Sequence, residues 1–302
     1  MTAKTTNTNN ARTLDAEKAR KAAANQKRLE TMRANLADLE KRAADLLQKG
    51  DSMTAADRRA LLALVNVAYH DSGKIEGCYS VDGSASCDFC QKMISAAADN
   101  VLIICGACYA AADAWKEAAW RRHCLNARIL STMLFTAEEL TLLDVPNIPW
   151  TRVRFNEDGD TVNETHARNL LRIAATRPAA NFGYWYKNAP AVEAGLHAEG
   201  IHCRADLPKN VRFIHSSLLI GFQARACWFD DATFTVYPDA ETTAEAIAAG
   251  AHECNGKRCR ACGYFCYLQR RQETAVNIAE VLRCNAARRA VILAAYREKL
   301  AR

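Results

Sequence analysis

Four cysteines crowd into thirteen residues in the last third of the chain, and this spacing constrains the fold more than any other feature. The segment has the pattern Cys-x4-Cys-x2-Cys-x3-Cys and contains the late set, Cys254, Cys259, Cys262 and Cys266. Thiolates at this spacing can converge on one metal ion or cluster. Its Cys-x4-Cys-x2-Cys part is typical of iron–sulfur ferredoxins, whereas zinc fingers separate two Cys-x2-Cys pairs by a longer loop. We predict an iron–sulfur cluster, with structural zinc as the alternative.

An earlier segment has the two-pair spacing of a zinc site. The early set consists of Cys87-x2-Cys90 and Cys105-x2-Cys108, separated by fourteen residues, and we predict that it also binds a metal. Cys78 precedes this set and is a candidate substitute ligand. A helix predicted directly after Cys108 would turn its N-terminal dipole towards a thiolate or cluster at this place.

The composition favours metal binding over disulfide bonds. The chain has 302 residues and thirteen cysteines, an odd number. It shows no apolar run of membrane-spanning length, and its polar start does not resemble a secretory signal, so we predict a cytoplasmic protein without a membrane partner. In that compartment Cys-x2-Cys pairs favour metals. The remaining cysteines are spaced singly and are interpreted as small buried apolar side chains; they are Cys124, Cys203, Cys227 and Cys284.

Positive charge is concentrated at the two ends of the chain. The net charge is +6; residues 1–50 contain eleven basic and six acidic residues, and residues 268–302 contain eight basic and three acidic ones. We interpret both ends as solvated helical faces, with nucleic-acid contact through them as the alternative.

Both ends of the chain are predicted to be helical. Residues 15–48 repeat apolar side chains at intervals of three and four, which is typical of a helix face that packs on another surface. We predict packing on the body of the protein, with a dimer through this helix as the alternative. A C-terminal helix is predicted over 273–300. Three regions follow: a helical N-terminal arm (1–70), a cysteine-rich α/β core (71–270) and a C-terminal helix (271–302).

The core alternates between strand and helix patterns. Within the arm, a second helix is predicted from residue 54 to about 69. Residues 71–108 look irregular, and 109–135 read as one long helix. Strands are predicted at 151–155, 181–186, 211–215 and 233–237, and helices at 164–176 and 190–199. Strands that alternate with helices predict a parallel sheet. The predicted class is α/β, with a partial parallel β/α barrel-like core, cysteine-rich metal loops and long terminal helices.

Polar residues follow the predicted strands at the edge where parallel sheets collect ligands. These candidates are Arg154, Asn156, Asp160, Lys187 and Ser216. Arginine and lysine beside amide and hydroxyl groups suit a small ligand with carboxylate or phosphate groups. The alternative is local: Asp160 caps the next helix, and Arg154 pairs with an acidic residue of its own turn. If the strand order is barrel-like, both cysteine sets should lie at this same edge.

Several motifs resemble a known family. They are Cys105-Gly-Ala-Cys108-Tyr109-Ala110 before a long helix, Arg154-x-Asn156 followed by Gly159-Asp160, Tyr184-x-Tyr186-Lys187, and a late Cys-x2-Cys-x3-Cys-Tyr. Together, over residues 75–270, the chain resembles the phage and mobile-element "gene product 88" family, which implies a fold more than a function.

The layout is more distantly similar to the radical S-adenosylmethionine enzymes. That similarity implies a partial barrel, a cofactor contact near residues 154–160, and an auxiliary cluster at the late set. The sequence lacks the Cys-x3-Cys-x2-Cys loop and the Gly-Gly-Glu motif of those enzymes.

These patterns lead to two functional hypotheses. The first is an iron–sulfur protein of phage or mobile-element type that acts as an enzyme on a small anionic ligand at the strand ends. The second is a non-catalytic, zinc-stabilised protein that binds nucleic acid or a protein partner through its basic helices. Whether the chain is an enzyme stays open at this stage, because no nucleophile–base pair of recognisable spacing is present.

Overall fold

The computed structural model describes residues 5–71, 73–81, 88–107, 117–157, 159–254, 259–263, 265–267 and 275–301. The helices of these ranges are α1 (Thr5–Leu47), α2 (Ala55–Leu62), α3 (Asp88–Ala96), α4 (Glu117–Thr132), α5 (Ala137–Leu140), α6 (Glu164–Ala175), α7 (Ala189–Ala198), α8 (Ala240–Ala248) and α9 (Ala286–Ala301). The strands are β1 (Ala68–His70), β2 (Cys78–Val81), β3 (Arg152–Phe155), β4 (Asn181–Tyr186), β5 (Val211–Ser216), β6 (Ala232–Tyr237), β7 (His252–Glu253) and β8 (Val276–Val281). None of the described helices combines the length and apolar character needed to cross a membrane.

The strands form one open sheet in the order β1-β2-β3-β4-β5-β6-β8-β7. Among the strands of the described residues, the β1–β2 pair is antiparallel and every other pair is parallel. The α/β class and the parallel core are therefore confirmed, but the sheet does not close into a barrel. The register places Arg154 beside Gly183, and Gly183 beside Arg212, across the middle of the sheet.

One face of the sheet, called the helical face, carries the main apolar core. From β2 to β6 the strands follow one another in chain order, so right-handed crossovers place the connecting helices on the same side. Val153, Phe155 and Phe182 alternate along β3 and β4 towards this face and are fully buried. They share a cluster with Leu170 of α6 and Leu196 of α7.

The opposite face, called the cysteine face, is covered by the late cysteine segment. Its sheet residues include Cys78, Arg154, Gly183, Trp185, Arg212, Ile214 and Ile278. A parallel sheet needs both faces covered, and here the chain around Phe265 and Cys266 provides the second cover. Gly183 allows this close approach, because a Cβ atom at its position would lie 3.1 Å from the Cys266 carbonyl oxygen.

The structure corrects several predicted boundaries. The continuous helix predicted over 273–300 is wrong, because Val276–Val281 forms β8 between β6 and β7, and α9 begins at Ala286. The helix predicted over 54–69 ends at Leu62. Residues 71–108, predicted to be irregular, contain β2 and α3. The sheet thus extends beyond both limits of the predicted core, since β1 lies before residue 71 and β8 lies after residue 270.

The C-terminal helix α9 packs on the body through a small cluster. Ile292 and Tyr296 are buried against Leu102, Ile220 and Leu282. Gly221, which follows Ile220, has φ = +81°, and its amide donates to the Val236 carbonyl at 2.8 Å. A side chain at this position would therefore meet both an unfavourable backbone conformation and the docked helix.

We expect Gly221→Ala to destabilise the protein by about 2–4 kcal/mol, because a left-handed alanine costs about 1–2 kcal/mol and overpacking about 1–3 kcal/mol. A Cβ atom at Gly221 would lie 2.2 Å from Cε2 of Tyr296. Gly250→Ala is the matched control, because Gly250 has φ = +100° but a Cβ atom there would have no other atom within 4 Å. Urea unfolding of both variants should show the larger loss for Gly221→Ala, and equal losses would mean that α9 does not dock against Gly221.

Candidate metal centre

Backbone contacts hold the late cysteines across the cysteine face. Cys254 directly follows β7, and its amide donates to the Ala279 carbonyl of β8 at 2.8 Å. The Cys259 amide donates to the Lys74 carbonyl, ahead of β2, at 2.7 Å. Cys259–Cys262 and Phe265–Tyr267 are short 3₁₀ turns. The segment therefore spans the sheet from β7 at one edge towards β2.

Cys78 lies with the late set. It is fully buried at the start of β2 and packs with Ile75 and Tyr267, and Cys259 and Cys266 contact the same cluster. The sequence suggested Cys78 as a substitute ligand for the early set, and the structure instead gathers five thiols at one site. The alternation of β2 turns Cys78 and Val81 to opposite faces, but four residues are too few for this pattern to be recognised in the sequence.

Burial keeps the thiols of Cys78, Cys259 and Cys266 protonated unless a metal binds. Burial raises the pKa of Cys266 to about 12, and neighbouring Cys254 raises it further, while Arg154 opposes the shift. Burial likewise raises the pKa of Cys78 to about 12, with Cys259 adding to the effect. The pKa of Cys259 is also raised by burial. Metal coordination supplies the positive charge that turns such thiols into thiolates.

The spacing of the thiols is wider than a single zinc ion requires. In a tetrahedral zinc site with bonds of about 2.3 Å, ligand sulfur atoms lie about 3.8 Å apart. Within the described part of the chain, no three late-set sulfur atoms lie within 4.8 Å of one another. An iron–sulfur cluster is larger than one ion, and its cysteine ligands stand further apart. The thiols as placed are therefore further apart than the ligands of one bound zinc ion would be.

Arg212 is the most unusual residue of the cysteine face. Its exposed fraction is 2%, and its guanidinium carbon lies 4.4 Å from the centre of the Phe265 ring. Its Nε and Nη2 atoms have no hydrogen-bond partner among the described residues. Burial lowers the pKa of this guanidinium, while Asp231 and Cys266 oppose the shift. A buried cation without a bonded anion is costly, so Arg212 indicates that an anion belongs beside it.

Further cations line the same face. The guanidinium carbon of Arg154 lies 4.3 Å from the centre of the Trp185 ring. Trp185 is buried, and its Nε1 atom has no hydrogen-bond partner in the described ranges. Lys74 pairs with Glu280 of β8 at 2.8 Å. The cationic surroundings of the thiols suit a negatively charged, thiolate-ligated centre.

The polar strand ends are arranged differently from the sequence-based prediction. Asp160 is fully buried and accepts backbone N–H groups from Thr161 (2.7 Å), Lys187 (2.8 Å) and Asn188 (3.3 Å). Burial raises the pKa of Asp160, and the nearby Lys187 charge opposes the shift. Asp160 thus ties the loop after β3 to the end of β4. Its role in the structure is to hold this backbone.

Asn156 belongs to the same tie, whereas Arg154 and Ser216 do not. Asn156 has φ = +58°, so the strand alternation stops at Phe155. Arg154 and Asn156 therefore do not share a face of the sheet. The Asn156 amide group donates to the Trp185 carbonyl at 2.8 Å. Arg154 lies on the cysteine face, and Ser216 ends β5 without a hydrogen bond to this group in the described ranges. The structure therefore gathers Asn156, Asp160 and Lys187 and separates the other two candidates.

The early set falls partly outside the described residues. Cys87 and Cys108 lie there, so their predicted metal binding stays a prediction. Cys90 is buried in α3 beside Phe89 and Val162, and Cys105 is buried in the adjoining turn Ile104–Ala107. The Ile104 amide donates to the Leu218 carbonyl, beyond the end of β5, at 2.9 Å.

The two sets therefore approach the sheet differently. Cys90 and Cys105 lie near chain segments that follow the carboxyl ends of β3 and β5. The late set crosses the cysteine face, and Cys259 reaches Lys74 at the amino end of β2. The expectation that both sets share one edge depended on a barrel-like strand order, which the open sheet does not have, and Cys259 lies near the amino end of β2 instead.

Comparison of the chain with protein-family models, curated proteins and solved structures found no match. The resemblance to the gene product 88 family stays an expectation that is based on the motifs quoted above. The residues of the cysteine face carry the functional proposal by their own geometry.

Proposed function

We propose that this protein binds an iron–sulfur cluster on the cysteine face through Cys254, Cys259, Cys262 and Cys266. The observation that carries the proposal is the buried Arg212 guanidinium, which packs on Phe265, next in the chain to Cys266. A cluster with four thiolate ligands is anionic and would compensate this buried charge. The same centre would account for five thiols gathered at one site, three of which are buried where free thiolates are disfavoured.

Cys78 adds a fifth thiol to a site that needs four ligands. Its burial against Tyr267 and Cys259 makes it a neighbour of the cluster. Cys78 would act either as a ligand in place of one late-set cysteine or as a thiol beside the cluster. Lys74, Arg154 and Arg212 would stabilise the thiolate charge in both cases.

The enzymatic part of the proposal concerns a small anionic ligand at the carboxyl ends of β3 and β4. Lys187 supplies a positive charge there, and the buried Asn156 Oδ1, an acceptor without a hydrogen-bond partner in the described ranges, would accept an N–H or O–H group of the ligand. A ligand with carboxylate or phosphate groups suits lysine at this edge. S-adenosylmethionine is the first compound to test, by calorimetry on the cluster-loaded protein and on Lys187→Ala.

Metal analysis of the anaerobically purified full-length protein tests the cluster. We expect iron and acid-labile sulfide in the wild type, loss of both in Cys262→Ser, and retention of both in Cys284→Ser. Cys284 is the matched control because it packs in the α9 cluster, away from the cysteine face. Zinc in place of iron that is lost in Cys262→Ser would support the zinc-stabilised, non-catalytic alternative, and a metal content unchanged by Cys262→Ser would refute metal binding by the late set.

A further inference from the structure

A second group of ligand atoms lies on the helical face, between β5 and β6. The connection over residues 217–231 contains no helix, and a turn of Cys227 to Asp230 takes its place, with the Asp230 amide donating to the Cys227 carbonyl at 3.1 Å. His215 projects from β5, and its ring stacks on Tyr186 at 5.0 Å. One ligand atom each from His215, Cys227 and Asp230 lie within 4.8 Å of one another.

The distance between His215 and Asp230 matches a tetrahedral zinc site, and the Cys227 sulfur lies within 4.8 Å of both ligand atoms. Nδ1 of His215 lies 3.4 Å from Oδ2 of Asp230. Zinc bonds to nitrogen and oxygen of about 2.0–2.1 Å would place two such ligand atoms about 3.3 Å apart. His215 and Asp230 therefore need little movement to bind one ion together.

The carboxylate is already held in the orientation that a metal ligand requires. Asp230 is fully buried, its Oδ1 accepts the Tyr186 hydroxyl, and its Oδ2 accepts the Cys227 amide at 2.6 Å. Arg204 donates to the Asp230 backbone carbonyl at 2.7 Å and fixes the turn. Metal ligands are commonly oriented by such outer hydrogen bonds.

A Cys-His-Asp relay fits the geometry less well than a metal. In a relay the thiol and the carboxylate lie at opposite nitrogens of the imidazole. Here the same ring nitrogen lies within 4.8 Å of both the sulfur and a carboxylate oxygen. Nδ1 is also buried, without an aligned hydrogen bond among the described residues. A single nitrogen that faces both groups indicates a shared ion between them.

We propose that His215, Cys227 and Asp230 bind one Zn²⁺ ion. Three protein ligands of mixed nitrogen, sulfur and oxygen type leave a fourth position for water or a small ligand, as catalytic zinc sites do. The site differs from the proposed cluster, because it uses the helical face of the sheet and none of the late-set cysteines. It stands independently of the proposed function.

Zinc titration of the full-length protein, after removal of bound zinc with a chelator, tests the site. We expect Cys227→Ala and His215→Asn each to bind one Zn²⁺ per chain fewer than the wild type. Cys203→Ala is the matched control, because Cys203 lies outside the group and contacts Asp206. Cobalt loading adds a spectroscopic check, since the thiolate-to-cobalt absorption of this site should disappear in Cys227→Ala and persist in Cys262→Ser.

Two variants keep the test decisive if one of them folds poorly. Cys227 is only half-buried, so its replacement by alanine should leave the circular dichroism spectrum unchanged. Equal zinc content in the wild type and in both folded variants would overturn the proposal. Loss of all zinc in Cys262→Ser, with none lost in Cys227→Ala, would do the same, and would leave Asp230 as a buried structural carboxylate.

Discussion

Replacing Arg212 with methionine is expected to stabilise the metal-free protein and to reduce the stability gained on metal loading. The guanidinium is 2% exposed, and its Nε and Nη2 atoms have no hydrogen-bond partner among the described residues. Methionine keeps the contact with the Phe265 ring and removes the buried charge. Replacement of poorly compensated buried charge by an apolar side chain stabilises proteins by about 1–4 kcal/mol.

Arg212→Met should destabilise the metal-loaded protein, because the anionic cluster then loses its buried cation. Urea unfolding under anaerobic conditions, with chelated and with iron-loaded protein, gives the free energy of unfolding of each form. The difference between the two forms should be smaller in Arg212→Met than in the wild type. A large destabilisation of the metal-free variant would show that Arg212 already has an anionic partner in the chain, and an unchanged difference would remove it from the site.

Replacing Arg177 with methionine is expected to destabilise both forms by about 3 kcal/mol or more, because several buried carbonyl groups would lose a charged donor. Arg177 is 3% exposed, so it is as buried as Arg212. Its guanidinium donates to the carbonyl oxygens of Leu143 at 2.7 Å, Leu140 at 3.0 Å and Val145 at 3.0 Å. These bonds fix the loop that leads from α5 into β3.

The two arginines serve as controls for each other, since the substitution and the burial are the same and only the hydrogen bonding differs. Arg128→Met, on the exposed side of α4, should change the free energy of unfolding by less than about 0.5 kcal/mol. A loss below about 1 kcal/mol in Arg177→Met would contradict the structural role of this guanidinium. Iron loading should not alter the effect of Arg177→Met, because Arg177 lies on the helical side of the sheet.

Local patterns predicted the central strands and helices well. The strand at 181–186 matches β4, and the helix at 164–176 matches α6 to within one residue. Both carry strong local signals. Aromatic residues fill β4, and Asn163 caps α6 by accepting the His166 amide at 2.9 Å. Such signals depend on neighbours in the sequence and need no knowledge of the fold.

Segments whose conformation depends on pairing were predicted wrongly. Residues 276–281 precede an alanine- and arginine-rich helix and were joined to it, yet they form β8 because β6 and β7 pair with them on both sides. Cys78 was assigned to an irregular segment, because a four-residue strand gives too short an alternation to recognise. Cys227 was interpreted as a small apolar side chain because it is spaced singly, and it does pack against the main core, but its approach to His215 could not be read from the chain.

The sequence alone determined that this is an α/β protein with a mostly parallel sheet, and its cysteine spacing predicts metal binding. Both conclusions follow from spacing along the chain, which governs local conformation and the reach of adjacent ligands. Only the tertiary structure decided which groups face each other: Cys78 with the late set, Arg212 against Phe265, and His215 with Asp230. These contacts join residues far apart in the chain, and the register and strand order that create them arise from burying both faces of the sheet at once.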